Sequence, residues 1–416
     1  MTSSPSPPPI PTGDLPPKSP PLSSFLSFTL TLFLGSGFLS FLNDSLGLCF
    51  GKPYLAVYAA LAWSIMLITG ILCCGLMALN PSIPKRFFLP ISLFIPVTSI
   101  GILPLLVYFN DRTLIIEWVL SIAQLLLGLI IIYQIRGIVK LDWPIFPTRT
   151  LPNKKFSWKN LCCFLLVGLF LVLPSVMTYG AFSAKLAVEH FTDGFVLVKP
   201  SGIWMQMRSY VRDDGKKIIL MPMSHIGETK FYHDISANFP LNSVILMEGV
   251  SDKSKLTQTH SDYSKMADTI GAVEQTEVFK PQGEIVAADV DMSSFSPATL
   301  ELLKTVMLIH SKGVNAETMP ILLKPTSPQL EKQLMEDILI KRNHHLLKVI
   351  QERLLTSDNI VVPWGAAHMP GIASGIEKLG FHVTEKNEYM ALRFTPVVKN
   401  VSAGQINDQS NEQDSE

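Results

Sequence analysis

Four strand-like segments in the second half of the chain each end in residues able to ligate a metal ion or move a proton. His225 follows Lys217–Met221, Glu248 follows Ser243–Met247, Asp289 and Asp291 follow Glu284–Ala288, and His368 follows Asn359–Pro363. Imidazole and carboxylate groups ligate catalytic divalent ions and serve as general acids and bases. In an open α/β sheet, ligands bind at the carboxyl ends of the strands. The run Gly365-Ala366-Ala367 allows close backbone approach just before His368. Each residue also has a plainer reading. A lone histidine is more often a half-buried side chain with one satisfied nitrogen, Glu248 could cap a helix or pair with a cation, and Asp289 and Asp291 could start the next helix. Their shared placement at strand ends favours a site. Glu228, three residues after His225, is an alternative base, whereas His344-His345 reads as a helix surface.

The elements that would carry these residues divide near position 185. All nine histidines lie between His190 and His382. The five cysteines, Cys49, Cys73, Cys74, Cys162 and Cys163, lie in or beside apolar runs of the first half. A cysteine zinc site or disulfide scaffold is thereby excluded from the second half. Residues 1–22 are rich in Pro and Ser and lack an apolar face, which predicts a disordered leader. Apolar runs follow at 25–42, 54–79, 87–109, 114–135 and 161–181, and Glu117 is the one charge inside them. Each approaches or exceeds the ~20 residues that a helix needs to cross a bilayer. Pro90, Pro96 and Pro104 predict a kink in the third. A signal peptide is the rival reading of the first run, but no small-residue cleavage site follows it.

From 185 to 398 the chain reads as one soluble domain. Besides the strands named, Phe195–Val198 and Met390–Phe394 are strand-like. Thr229–Asn238, Asp262–Ile270, Pro297–His310, Pro328–Leu355 and Gly371–Leu379 are helix-like. This alternation predicts a multi-span α-helical membrane region followed by a soluble α/β domain with a mixed, partly parallel sheet. The polar segment 399–416 predicts a disordered tail.

Basic residues cluster in alternate connections. Arg136, Lys140, Arg149, Lys154, Lys155 and Lys159 precede the last run, and Lys85 and Arg86 lie between the second and third. The positive-inside rule makes these connections cytoplasmic and the soluble domain extracytoplasmic, periplasmic if the membrane is a bacterial inner one. A net formal charge of zero gives no sign of nucleic-acid binding. The sequence contains no HExxH, GxSxG or phosphate-loop motif, which excludes the common zincin, esterase-elbow and nucleotide-loop readings.

The second half resembles the TraB/PrgY/GumN–Tiki family of the erythromycin-esterase and ChaN-like superfamily. That family has two G-x-x-H motifs, an acidic residue after its second strand and an Arg-Asn pair before the last motif. Gly365-Ala366-Ala367-His368 matches the second motif, Glu248 the acidic residue and Arg342-Asn343 the pair. The segments Ala287-Ala288-Asp289-Val290-Asp291 and 266–271 also look like the family. The first motif departs from it, reading Pro222-Met223-Ser224-His225. The likeness covers roughly 217–394 and none of the apolar runs. It implies a metal-dependent hydrolase, a peptidase acting on peptide or protein, which the apolar runs would anchor to a membrane. A divalent ion, manganese or cobalt with zinc as a further option, would be bound by His225, His368 and Glu248. Glu248 would be ligand or general base, Arg342 would stabilise an oxyanion, and Asn343 would orient substrate or a ligand. A non-catalytic, pheromone-sequestering peptide binder is the alternative, and a transporter with a soluble regulatory domain the third.

Overall fold

A computed structural model describes residues 21–137, 143–146, 156–251, 272–312, 319 and 327–394. The leader before Pro21, the segments 262–270 and 266–271 and the tail after 394 lie outside the described residues. The chain divides into two compact units between Ala184 and Lys185.

The first unit holds long apolar helices at Pro21–Phe50, Ala56–Leu79, Lys85–Tyr108, Asn110–Arg136 and Trp158–Phe191, the last running on past the unit boundary. Five helices are thus long and apolar enough to cross a membrane. The third breaks at Ile102, just before Pro104, and continues as Leu103–Tyr108. Proline accounts for that break, because it lacks an amide hydrogen and crowds the preceding turn. Leu26, Leu30 and Phe33 on the first helix pack with Met66, Cys73 and Met77 on the second and Phe88 and Ile91 on the third. Close approach depends on small residues, since a Cβ at Gly70 would lie 2.9 Å from the Ser92 carbonyl oxygen. The first helix outruns the expected 25–42 at both ends, so Asp44 lies within it and not in a connection.

The second unit is built on a mixed sheet. Its strands in chain order are β1 (Val196–Lys199), β2 (Gly202–Val211), β3 (Lys217–Met223), β4 (Ile226–Gly227), β5 (Val244–Met247), β6 (Val273–Glu274), β7 (Glu284–Ala287), β8 (Asn359–Gly365) and β9 (His382–Arg393). The main sheet runs β1-β2-β3-β8-β5-β7, with β9 also paired to β2. β3, β8, β5 and β7 are mutually parallel, whereas β2 is antiparallel to β1, β3 and β9. β4 and β6 form a separate two-stranded ladder.

Side chains of β3, β5 and β8 alternate between two apolar layers. Ile218, Leu220, Ile360, Val362 and Trp364 pack with Leu346, Ile350, Ile372 and Ile376 of the helices Lys341–Arg353 and Met369–Glu377. Ile219, Met221, Ile245 and Val361 pack on the opposite face with Phe231, Tyr232 and Ile235 of the helix Thr229–Ala237. Burial on both faces explains why these strands read as short continuous apolar runs. β2 was not among the expected strands, because Gln206, Arg208 and Ser209 interrupt its apolar pattern. Arg208 is nevertheless buried, with its guanidinium over the Phe195 ring at 3.8 Å and paired to Asp193 at 3.1 Å.

Candidate active site

The parallel strands end on one edge, and their next residues meet there. Glu248 follows β5, Asp289 lies two residues past β7, and His368 closes the 3₁₀ turn Ala366–His368 after β8. Arg342 and Asn343 come from the first turn of the helix Lys341–Arg353. A π-turn at Glu336–Ile340 precedes that turn. Such a turn adds a residue to the helix and rotates the residues beyond it about the axis. The fully buried Asp337 fixes it in place. Asp337 accepts hydrogen bonds from Ser296 N–H (2.9 Å), the Thr299 hydroxyl (2.6 Å) and Lys341 Nζ (2.6 Å). Burial works against its charge, but these donors prevail and hold its carboxyl below the usual range.

Arg342 is the hub. Its Nε donates to Asp289 Oδ1 at 3.0 Å, and its Nη2 donates to Asp289 Oδ2 at 2.7 Å and Glu248 Oε1 at 2.6 Å. Its Nη1 lies 3.1 Å from His368 Nε2. Burial opposes the guanidinium charge, but Asp289 and Glu248 overcome it and raise its pKa further. The other Glu248 oxygen accepts from Gly365 N–H, and Asp289 also accepts from Gly249 N–H at 3.0 Å. Asp289 is wholly buried, and Glu248 is the more exposed carboxylate.

These contacts fix the state of His368. Arg342 has no acceptor, so Nε2 must present its lone pair, and Nδ1 carries the proton and donates to Asn343 Oδ1 at 2.7 Å. Burial first, and then the Arg342 charge, lower the imidazole pKa to about 4, with Glu248 and Asp289 opposing. The 3.6 Å approach of His368 Nε2 to Glu248 Oε1 is therefore a contact between a neutral ring and a carboxylate near neutral pH. Trp364 packs its ring edge-on to His368, with centroids 5.2 Å apart, and its Nε1–H donates to Leu246 O at 2.9 Å. Two carboxylates, one guanidinium and a neutral histidine leave one net negative charge.

Glu248, Arg342, Asn343 and His368 thus meet in one network. Asp289, one of the strand-end residues able to ligate a metal ion or move a proton, is its deepest member, with its side chain wholly buried. Asp291 instead accepts from Ser251 Oγ (2.7 Å) and Ser293 N–H (3.0 Å), ordering the 3₁₀ turn Met292–Ser294. Glu228 accepts from Arg393 N–H at 3.1 Å and pairs with Arg393 Nε at 3.2 Å, which places it in a strand contact. His225 is exposed, two residues beyond Met223, the β3 partner of Gly365. Its carbonyl accepts from Gln275 N–H at 2.9 Å.

A metal ion shared by His368 and Glu248 would need the Nε2 lone pair. The 3.6 Å separation of Nε2 and Oε1 would suit two ligands of one ion at ~2 Å each. Arg342 Nη1 already takes that lone pair, and Nδ1 is committed to Asn343. Among the described residues, no three His, Cys, Asp or Glu side chains are grouped to hold an ion. The donor set as arranged does not fit a metal, and its central cation is Arg342. Compared with models of known protein families, with curated proteins and with solved structures, the chain matches none.

Proposed function

We propose that the chain is a membrane-anchored hydrolase, a peptidase, with its catalytic unit on the extracytoplasmic side. The observation that carries this reading is the network itself. A buried, doubly paired guanidinium, a neutral imidazole and a partly exposed carboxylate converge from three separate segments at the carboxyl ends of parallel strands. Groups held this way, with a strongly displaced histidine pKa, characterise reactive sites.

In the proposed reaction Glu248 takes a proton from water as its oxygen attacks the scissile carbonyl carbon. The carbonyl oxygen becomes negative and accepts from Arg342 Nη1, replacing His368 Nε2 as its partner. Asp289 keeps the guanidinium in place, so little reorganisation is needed when charge develops. Asn343 holds the His368 ring through Nδ1 and so fixes where Nη1 is presented. The C–N bond then breaks, and Glu248 returns the proton to the departing amine. No step runs through a metal. The basic connections at 85–86 and 136–160 support the orientation. The resemblance to the TraB/PrgY/GumN–Tiki family supports the reaction class.

The test uses the purified full chain, a peptide library and mass spectrometry. Cleaved products are expected, with Glu248→Gln and Arg342→Lys each lowering the rate by at least about 100-fold. Tight capture of intact peptide would overturn catalysis in favour of sequestration. Stoichiometric manganese, cobalt or zinc, lost in a His225→Ala/His368→Ala double variant, would overturn the metal-free scheme.

A further inference from the structure

Several polar side chains of the helical unit gather in one place. The helix Thr113–Arg136 carries Glu117, Ser121 and Gln124 on one face at i, i+4 and i+7. The first helix presents Ser40, Asn43 and Asp44, and the third Thr98 and Ser99. All line one cavity of about 530 Å³. Ala56, Ala59 and Ala60 of the second helix also line it, and their small side chains leave the space open. Trp63 and Phe94 add aromatic surface. The cavity lies toward the end of the bundle that carries the connections 51–55 and 109–112.

Its charge is one-sided. Asp44 is buried, with Ser121 Oγ donating to Oδ2 at 3.1 Å and Asn43 Nδ2 donating to Oδ1 at 3.3 Å. Asn43 is itself held by Leu55 N–H at 3.1 Å. These bonds aim the Asp44 carboxylate without neutralising it. Among the described residues that line the cavity there is no Lys, Arg or His. Polar and ionisable groups between membrane helices are costly and mark ligand or ion paths. The volume falls within the range of about 300–1,000 Å³ that holds small organic molecules. A bare metal ion needs a close oxygen cage, whereas carboxylates beside aromatic faces suit an ammonium group.

We propose that this cavity binds a small organic ammonium cation, its charge held by Asp44 and Glu117 and its alkyl groups against Trp63 and Phe94. Every residue involved belongs to the helical unit, so the cavity's ligand is independent of the hydrolase reading.

The experiment titrates the full chain in lipid nanodiscs with choline, with putrescine, and with the neutral alcohol in which carbon replaces choline's nitrogen. Tryptophan fluorescence and equilibrium dialysis both report binding. Saturable binding of at least one cation is expected, with none of the alcohol over the same range. Asp44→Asn and Glu117→Gln should each weaken it by about tenfold or more. Asp44 is buried, and its variant could fail to fold. Glu117 has no hydrogen bond or ion pair among the described residues, so its variant decides the matter in that case. Failure of both cations to bind, equal binding of the alcohol, or unchanged affinity in Glu117→Gln would overturn the proposal.

Discussion

His368 stays neutral because burial penalises the charged ring and a fixed cation faces its one lone pair. The linkage has a definite sign. The folded-state pKa of about 4 lies below the ordinary value of 6.5, so the unfolded chain binds the extra proton between those limits. Stability from this group is fully present above pH 6.5 and is lost as pH falls toward 4. The displacement corresponds to roughly 3 kcal/mol. Denaturant unfolding of the full chain in micelles, monitored from pH 7 to 4, should show that loss, and His368→Gln should remove it. Equal pH dependence in the two proteins would contradict the assignment. Most of this network is legible as residue types at strand ends, and Arg342-Asn343 through family resemblance. The depth of Asp289 was not legible, because a carboxylate that starts a helix and one that clamps a guanidinium look alike in sequence. The exposure of His225 was likewise hidden, since strand-end position does not fix the direction of a ring.

At the scale of elements, the site depends on one departure from regular helix and one close approach between helices. The π-turn at Glu336–Ile340 sets the rotation of Arg342 and Asn343, and Asp337 pins it. Across from it, the helix Met369–Glu377 brings Gly371 against the Asn343 side chain. A Cβ there would lie 2.4 Å from Asn343 Nδ2. Gly371→Ala should therefore cost about 1–3 kcal/mol and loosen the Asn343–His368 bond. Unfolding curves measure the first effect, and unchanged stability would show that the contact yields without cost. The buried strands β3, β5 and β8 were legible as apolar runs. β9 was legible only at its end, because most of His382–Arg393 is polar and carries no burial pattern. The expected strand at Met390–Phe394 is thus the last part of a twelve-residue strand paired along β2. No local sequence signal marks the π-turn, which arises from the tertiary anchoring of Asp337.

For the whole molecule, the division at Ala184 and Lys185 separates two kinds of chemistry. The apolar helices satisfy their own backbone groups, as any segment inside a bilayer must. The sheet unit carries the titratable network. Hydropathy made the five helices plain, but it could not show that Asp44 lies inside one of them or that its neighbours enclose a polar cavity. The central claim joins a site to a side of the membrane, and a single measurement tests both parts. Cells producing the full chain are given a membrane-impermeant quenched peptide, intact and after lysis, alongside cells producing Arg342→Lys. The account predicts cleavage by intact wild-type cells at close to the lysed-cell rate and at least about a 100-fold lower rate for the variant. Cleavage only after lysis would place the catalytic unit on the other side, and equal cleavage by Arg342→Lys would remove the Arg342-centred network from the reaction.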